Sequence, residues 1–469
     1  MLDAMTRTTD TLGATQCLAE FTAGVSRRDV PDGVRAVLQT ALIDAVGCAL
    51  FGLTTPAGRI VSDFVRDQGG PPEASIWGSG GARVSAANSA IASGTAIHSF
   101  DFDDHHRAKL HLSAAVLPAA FAMAERAQAS GATLLAALAA GYEVMARISL
   151  AANPNAARMR GWHLTGTCGS FGAAAAACVI LGLDGRATAS ALGLAGTQSA
   201  GLWAFNADGA MSKRIHPGFA ARNGITAALL AQRGFHGPRM ILEAEDGGFL
   251  GVMSDEVRIS EIGRELGRVW RAEDVCFKPY ACCGSNHASI DAALSLMAEY
   301  GFGATDVLSV TAGVSHVVER QTGFAYRMST VLNAQMSLRY NLAVALIDGQ
   351  ALLEQFTEER IADPAVNELI ERIEVEISPE MDAVYPERYA GIVTINLRDG
   401  RILRKRVDYS KGMPENRMTE AEIKAKFLSL ASTAIDADEA HSLLADLTQA
   451  FEMPNIVPLA DWLGHLSIG

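Results

Sequence analysis

The feature that most constrains this chain is a change of hydrophobic period along its length. In the segments 34–51, 85–98, 114–129, 133–152 and 218–232, apolar side chains recur at three- and four-residue spacing. That is the period of helices with one buried stripe. Between about residues 276 and 410 the period falls to two. Val310, Ala312 and Val314 alternate with more polar neighbours, Ile373, Val375 and Ile377 alternate with Arg372, Glu374 and Glu376, and Val393, Ile395 and Leu397 repeat the pattern. These segments read as strands. Asp399–Gly400 supplies a hairpin turn, and Leu403, Val407 and Tyr409 line one face of the return strand. Helical spacing resumes near Thr419. At 469 residues the chain is too long for one ordinary core. The expected fold is mainly α: a large all-helical domain in two pieces, 1–275 and 411–469, interrupted by an α+β domain at 276–410. Glycine and proline clusters at 69–72, 77–81 and 236–238 punctuate the helices as loops.

Charge narrows the partners. A net charge of -13 argues against nucleic acid or an anionic membrane surface, because both demand clustered Lys and Arg. An anionic substrate therefore needs a local basic pocket. Cys17, Cys48, Cys168, Cys178, Cys276, Cys282 and Cys283 lack the dense spacing of a secreted disulfide scaffold, so reduced thiols in a cytoplasm are expected. The first residues show no apolar core after a basic start, and Asp3 and Asp10 speak against a transit peptide. The uncharged stretch 165–183 is long enough to suggest a membrane span but is mostly Ala, Gly, Ser and Thr, and reads as a buried helix packed closely on its neighbours.

The densest polar cluster runs from His98 to His111. It holds His98, Asp101, Asp103, Asp104, His105, His106 and His111 between two apolar helices, in a chain with only 11 histidines. If the preceding helix continues, His98, Asp101 and His105 share one face and the following loop returns His111 to them. Carboxylates beside imidazoles set tautomer and pKa, as an acid/base pair requires. A solvated helix end and a metal site built from the same residues are the competing readings; the metal reading lacks HExxH, CxxC or HxH spacing. Gly166–Gly172 has glycines but no preceding strand, and GxxxxGK[ST] and GxSxG are absent, so no nucleotide cofactor is expected.

The stretch His98-Ser-Phe-Asp101-Phe-Asp103-Asp104, then His111 and Ser113-Ala-Ala-Val-Leu-Pro-Ala, resembles a motif of the MmgE/PrpD family. Similar segments follow the family order elsewhere: Ala45–Leu50, Gly161–Thr167, Gly209–Gly218, Lys278–His287 and Ser337–Tyr340. The family includes 2-methylcitrate dehydratase, cis-aconitate decarboxylase and iminodisuccinate epimerase. The resemblance implies a helical domain with an α+β lid, a homodimer, and an active site between domain and lid. It carries catalytic roles to Asp101, His111, His163 and Lys213, and places His287 and Tyr340 at matching motif positions. His105, Leu112 and Arg214 depart from the common pattern and bear on substrate identity.

Taken alone, His163 reads as a core histidine and Lys213 as a surface lysine. Lys213 sits where a loop enters a helix, however, and there an ammonium and backbone N–H groups can jointly hold a carboxylate. Tyr340 lies in an apolar stretch and reads equally as core. The expected enzyme is free of metal and cofactor and acts on a small di- or tricarboxylate. Lys213 and His287, with Arg214 or Lys278, would hold the carboxylates, and His111 and His163 would move the proton. Dehydration comes first among the chemistries, with decarboxylation or epimerisation as alternatives; a non-catalytic carboxylate-binding relative is the reading from another class.

Overall fold

The computed structural model describes residues 12–25 and 30–468. Its helical part is built around α1 (Asp32–Thr54), α2 (Ala86–Ile97), α3 (Leu112–Ala127), α4 (Gly131–Ala151), α5 (Leu164–Leu181) and α6 (Ser212–Gln232). Helix α5 lies at the centre, with α3, α4 and α6 against it, and α2 packs on both α3 and α6. It is apolar on every side, so a position surrounded by other helices is the only one that covers it. Its small side chains permit that density. A Cβ added at Gly172 would lie 2.8 Å from the Gly141 carbonyl oxygen, and one at Gly224 would lie 2.4 Å from the Ala173 Cβ. The backbones of α4, α5 and α6 therefore nearly touch, a packing that larger residues would forbid.

Helices α1, α4 and α5 are each long and apolar enough to cross a membrane by length and composition, but 78%, 94% and 89% of their most apolar windows are already covered by protein. One charged pair lies deep in this bundle. Arg147 Nε donates to Glu143 Oε1 at 2.5 Å one turn away on α4. The rest of its guanidinium donates to the carbonyls of Glu261, Ile262, Arg264 and Val269. Glu143 Oε2 accepts from the Arg271 backbone N–H at 2.6 Å. The pair is thus fully hydrogen-bonded, as a buried ion pair must be, and it fastens the segment 261–271 to the bundle.

The second part carries α7 (His287–Tyr300), α8 (Leu338–Asp348) and a four-stranded sheet of β1 (Val307–Val314), β2 (Ile373–Ile377), β3 (Gly391–Leu397) and β4 (Ile402–Val407). The strand order is β2-β1-β3-β4, with β1 and β2 parallel and the other pairs antiparallel. Val310 stands opposite Ile373 on one side and Ile395 on the other, and all three are buried in a core of their own with residues of α7 and α8. The alternation is weaker at the sheet's margins. Ile377 is 47% exposed at the end of edge strand β2, and Tyr409 lies beyond the end of β4, because edge strands have only one neighbour to cover them.

Past the sheet, Thr419 caps α9 (Glu420–Ala431) with a reciprocal Glu422 contact. This helix returns to α1, where Ile423 and Phe427 join the first core and Lys426 meets Asp44 at 2.7 Å. A two-residue antiparallel pairing joins His105–His106 to Val275–Cys276, tying the polar cluster to the point where the chain leaves the helical part. Replacing Arg147 with Met keeps apolar bulk and strands Glu143. We expect a loss of about 3–5 kcal/mol of stability, read as a lowered urea midpoint; a change below about 1 kcal/mol would show that the clamp contributes little.

Candidate active site

The polar cluster does not continue α2. The helix stops at Ile97 with His98 at its C-cap, and Asp101 adopts a left-handed φ of 55°. The expectation that His98, Asp101 and His105 share one helical face is therefore corrected: the loop turns each to a different partner. A left-handed residue other than glycine costs about 1–2 kcal/mol, and buried hydrogen bonds offset it. Three successive loop carbonyls are each taken by a side chain from far along the sequence. Gln335 Nε2 donates to Phe100 O, Lys278 Nζ to Asp101 O at 2.6 Å, and Lys426 Nζ to Phe102 O at 2.7 Å.

The Asp101 carboxylate is the hub. Its Oδ1 accepts from Lys213 Nζ and from Lys278 Nζ, both at 2.8 Å, and His111 Nε2 lies 3.8 Å away. Behind it, Asp103 accepts from His98 Nδ1 at 2.9 Å, and His111 Nδ1 lies 3.2 Å from the same oxygen. An ionised Asp103 can only accept, so the His98 ring carries its proton on Nδ1 and presents Nε2 as the lone pair, while His111 Nδ1 lies near the same carboxylate without a hydrogen bond of good geometry. His98 Nε2 then accepts from Lys213 at 3.2 Å, while His111 Nε2 faces the cavity side of Asp101. His163 reaches the same space from the N-terminus of α5, its Nδ1 2.9 Å from His216 Nδ1.

Burial sets the charge states. It pushes His98 down to about 3, against the pull of Asp103. Burial, His216 and Lys213 hold His163 well below its usual range, and burial lowers His111 with Asp103 opposing. Asp101 stays ionised, because Lys213 and Lys278 outweigh its own burial. Lys278 is likewise raised, its burial outweighed by Asp101 and Asp103. The imidazoles are neutral near pH 7 while the ammonium of Lys278 and the carboxylate of Asp101 are charged.

Asp101, His105, His111, His163, Lys213 and Lys278 line one cavity, joined by Lys109, Trp203, Cys283, Gln321 and Tyr389. The other expected residues lie elsewhere. His287 stands behind His105 at a ring separation of 6.0 Å, with Nε2 3.3 Å from Cys282 O, off the cavity wall. Arg214, the next residue to Lys213 on α6, is half-buried and also off the wall. Tyr340 is core: it is fully buried, donates to Gln355 O at 2.5 Å and packs on Tyr326 and Phe356. Its apolar setting in the sequence already pointed there. His98 and Asp103 belonged to the dense cluster, and His216 to the segment around Lys213, but spacing did not reveal their pairings. Tyr389 had no local signal at all.

One donor atom from each of His98, Asp101, Asp103 and His111 falls within 4.8 Å of the others, close enough to gather round a cation. Part of the set is already engaged: two ammoniums hold Asp101 Oδ1 and His98 donates to Asp103, while Asp101 Oδ2 and His111 Nδ1 are buried without a hydrogen-bond partner. A divalent ion there would stand against Lys213 and Lys278, so acid/base use fits the set better.

Residues 16–261 match the MmgE/PrpD N-terminal domain and residues 280–449 the MmgE/PrpD C-terminal domain. Among characterised proteins, the chain is 32% identical to the cis-aconitate decarboxylase-like protein oryM of Aspergillus oryzae, over 90% of this chain and 91% of that protein. It is 29% identical to cis-aconitate decarboxylase of Aspergillus terreus, over 96% of each. It is also 29% identical to cis-aconitate decarboxylase of Homo sapiens, over 92% of this chain and 90% of that protein.

Asp103→Asn removes the negative charge to which His98 Nδ1 donates and which lies 3.2 Å from His111 Nδ1. We expect kcat to fall roughly 10²–10⁴-fold, the usual scale for a lost acid/base contribution, with KM nearly unchanged; wild-type kcat would remove Asp103 from the relay. Turnover is expected to persist in EDTA. Loss of activity restored by a divalent ion would convert the four-residue cluster into a ligand set.

Proposed function

Because the chain belongs to the MmgE/PrpD family, we propose that its cavity decarboxylates a small unsaturated tricarboxylate of the cis-aconitate type. The observation that carries this reading is the convergence of Lys213 and Lys278 on one oxygen of Asp101, beside His111 and His163. An incoming carboxylate competes with Asp101 for two ammoniums in a buried setting, where such contacts are strong. Dehydration, placed first from the sequence, gives way to decarboxylation because the relatives at 29–32% identity are cis-aconitate decarboxylases or like them.

The chemistry needs one proton and no electrons. As the bond to the departing carboxylate breaks, its electron pair forms a double bond to the adjacent carbon. The pair of the original double bond then takes a proton at the far carbon, and CO2 leaves. Lys213 and Lys278 hold the carboxylates that remain and stabilise the charge that spreads over the three carbons. His111 delivers the proton from Nε2, with Asp103 behind Nδ1 to stabilise the imidazolium that precedes transfer. His163, held neutral, orients the substrate by hydrogen bonding.

Incubation with cis-aconitate followed by mass measurement tests the reading. Loss of the mass of CO2 with a new dicarboxylate is expected. Loss of water from citrate or 2-methylcitrate, or isomerisation at constant mass, would replace it. The pH profile carries the second test. The donor must be protonated and His111 titrates below its usual 6.5, so its loaded fraction shrinks as pH rises. We expect kcat/KM to fall about tenfold per unit above that pKa and His111→Gln to abolish the slope; a kcat/KM rising with pH would make His111 a base.

A further inference from the structure

Lys109 lies on the same cavity wall as Lys213 and Lys278 but has no carboxylate of its own. It sits in a tight turn, its backbone N–H donating to His106 O at 2.8 Å and its φ left-handed at 58°. Asp101 and Lys109 are thus two cavity residues held in a conformation that most side chains avoid. Lys109 Nζ donates to the Tyr385 hydroxyl, lies 3.5 Å from Gln321 Oε1, and stands 5.1 and 5.4 Å from the centres of the Tyr385 and Tyr389 rings.

Arg158 is a second cation in the same condition. It is 7% exposed, its guanidinium stacks 3.7 Å above the ring of cavity residue Trp203, and its Nε has no hydrogen-bond partner. The indole Nε1 of Trp203 is likewise buried without a partner. The contrast with the other buried cations is complete among the described residues: Arg147 has Glu143, Lys213 and Lys278 have Asp101, and Lys426 has Asp44. Lys109 is half-buried on the cavity wall and Arg158 is buried behind wall residue Trp203, close enough for its charge to act on Lys109; two cations so placed without an anion are costly, and an anion from outside relieves both.

We propose that Lys109 and Arg158 form a second anion subsite, which takes a further carboxylate of the substrate and selects tricarboxylates over dicarboxylates. This rests on the carboxylate-substrate reading above and adds which side chains count the carboxylates. Tyr385 and Gln321 reach Lys109 from the α+β part, so an incoming anion competes with neutral partners for the ammonium. The charge on Lys109 is itself adjustable: burial and Arg158 draw its pKa down to about 7, with the Cys283 thiol opposing. A bound carboxylate restores the full ammonium.

The test is calorimetric binding of citrate, with three carboxylates, and succinate, with two, to the wild type, Lys109→Gln and Lys109→Arg. Gln removes the charge and keeps a polar amide one atom shorter than the lysine, and Lys109→Arg keeps the charge, so the two variants separate loss of charge from loss of the contact with Tyr385. Lys109→Gln is expected to weaken citrate at least tenfold and succinate less than twofold, with Lys109→Arg within threefold of the wild type for both. Arg158→Gln should reproduce the selective loss. Equal weakening of both anions, no weakening of either, or a wild type that fails to bind citrate would each overturn the subsite. Binding is read without turnover. If the citrate-selective loss is found but cis-aconitate is not decarboxylated, the subsite stands and the proposed reaction falls.

Discussion

Asp101 Oδ1 shared between two ammoniums is the contact on which the rest of the site depends. Lys213 arrives from α6 in the helical part, and Lys278 from the segment that leads into the α+β part, so one oxygen joins both. Each ammonium is buried and would be expensive alone; together they need the carboxylate, and the carboxylate needs them to stay ionised against its own desolvation. The left-handed turn at Asp101 is the cost of aiming both its carbonyl and its carboxylate at Lys278. The histidines are neutral chiefly because they are buried, and the positive charge of Lys213 adds to that.

Small residues bring those charges together. A Cβ at Gly94 would lie 2.9 Å from the Gly218 Cα, so α2 and α6 touch backbone to backbone. Four residues after Gly94 comes His98, and five before Gly218 comes Lys213, whose side chains meet at 3.2 Å. The abundance of Ala and Gly, which from composition alone says only that the protein is helical and well packed, is what sets the spacing between these two polar groups. Exchanging one such glycine for a larger residue would spread the helices and part these two side chains without altering a single polar group.

Much of the architecture was legible from periodicity because burial of one face leaves a mark every two or every 3.6 residues. The change of period near residue 276, the strands at Val310, Ile373 and Val393, and the return of helical spacing near Thr419 are all direct expressions of it. The polar cluster was legible as a cluster but not as a set of pairs. Helical spacing put Asp101 beside His98, whereas the left-handed turn gave His98 to Asp103 and sent Asp101 to two lysines more than a hundred residues away. Such pairings depend on where the turn bends, which no local pattern records. Tyr340 shows the opposite error: motif position suggested the site, while its apolar neighbours described its environment correctly.

The three captured carbonyls at Phe100, Asp101 and Phe102 have a consequence for biosynthesis. Their side-chain partners follow them by 235, 177 and 324 residues. At about 5–20 residues per second of translation, the last partner emerges roughly 15–65 s after the loop it secures. The counter-charges of Asp101 come earlier, Lys213 after 112 residues and Lys278 after 177, but the carbonyl of Phe102 waits for Lys426, so a nascent chain can build its helices early but cannot hold the finished loop. The shape of the loop therefore comes late in synthesis, and a shorter chain carries the motif without it.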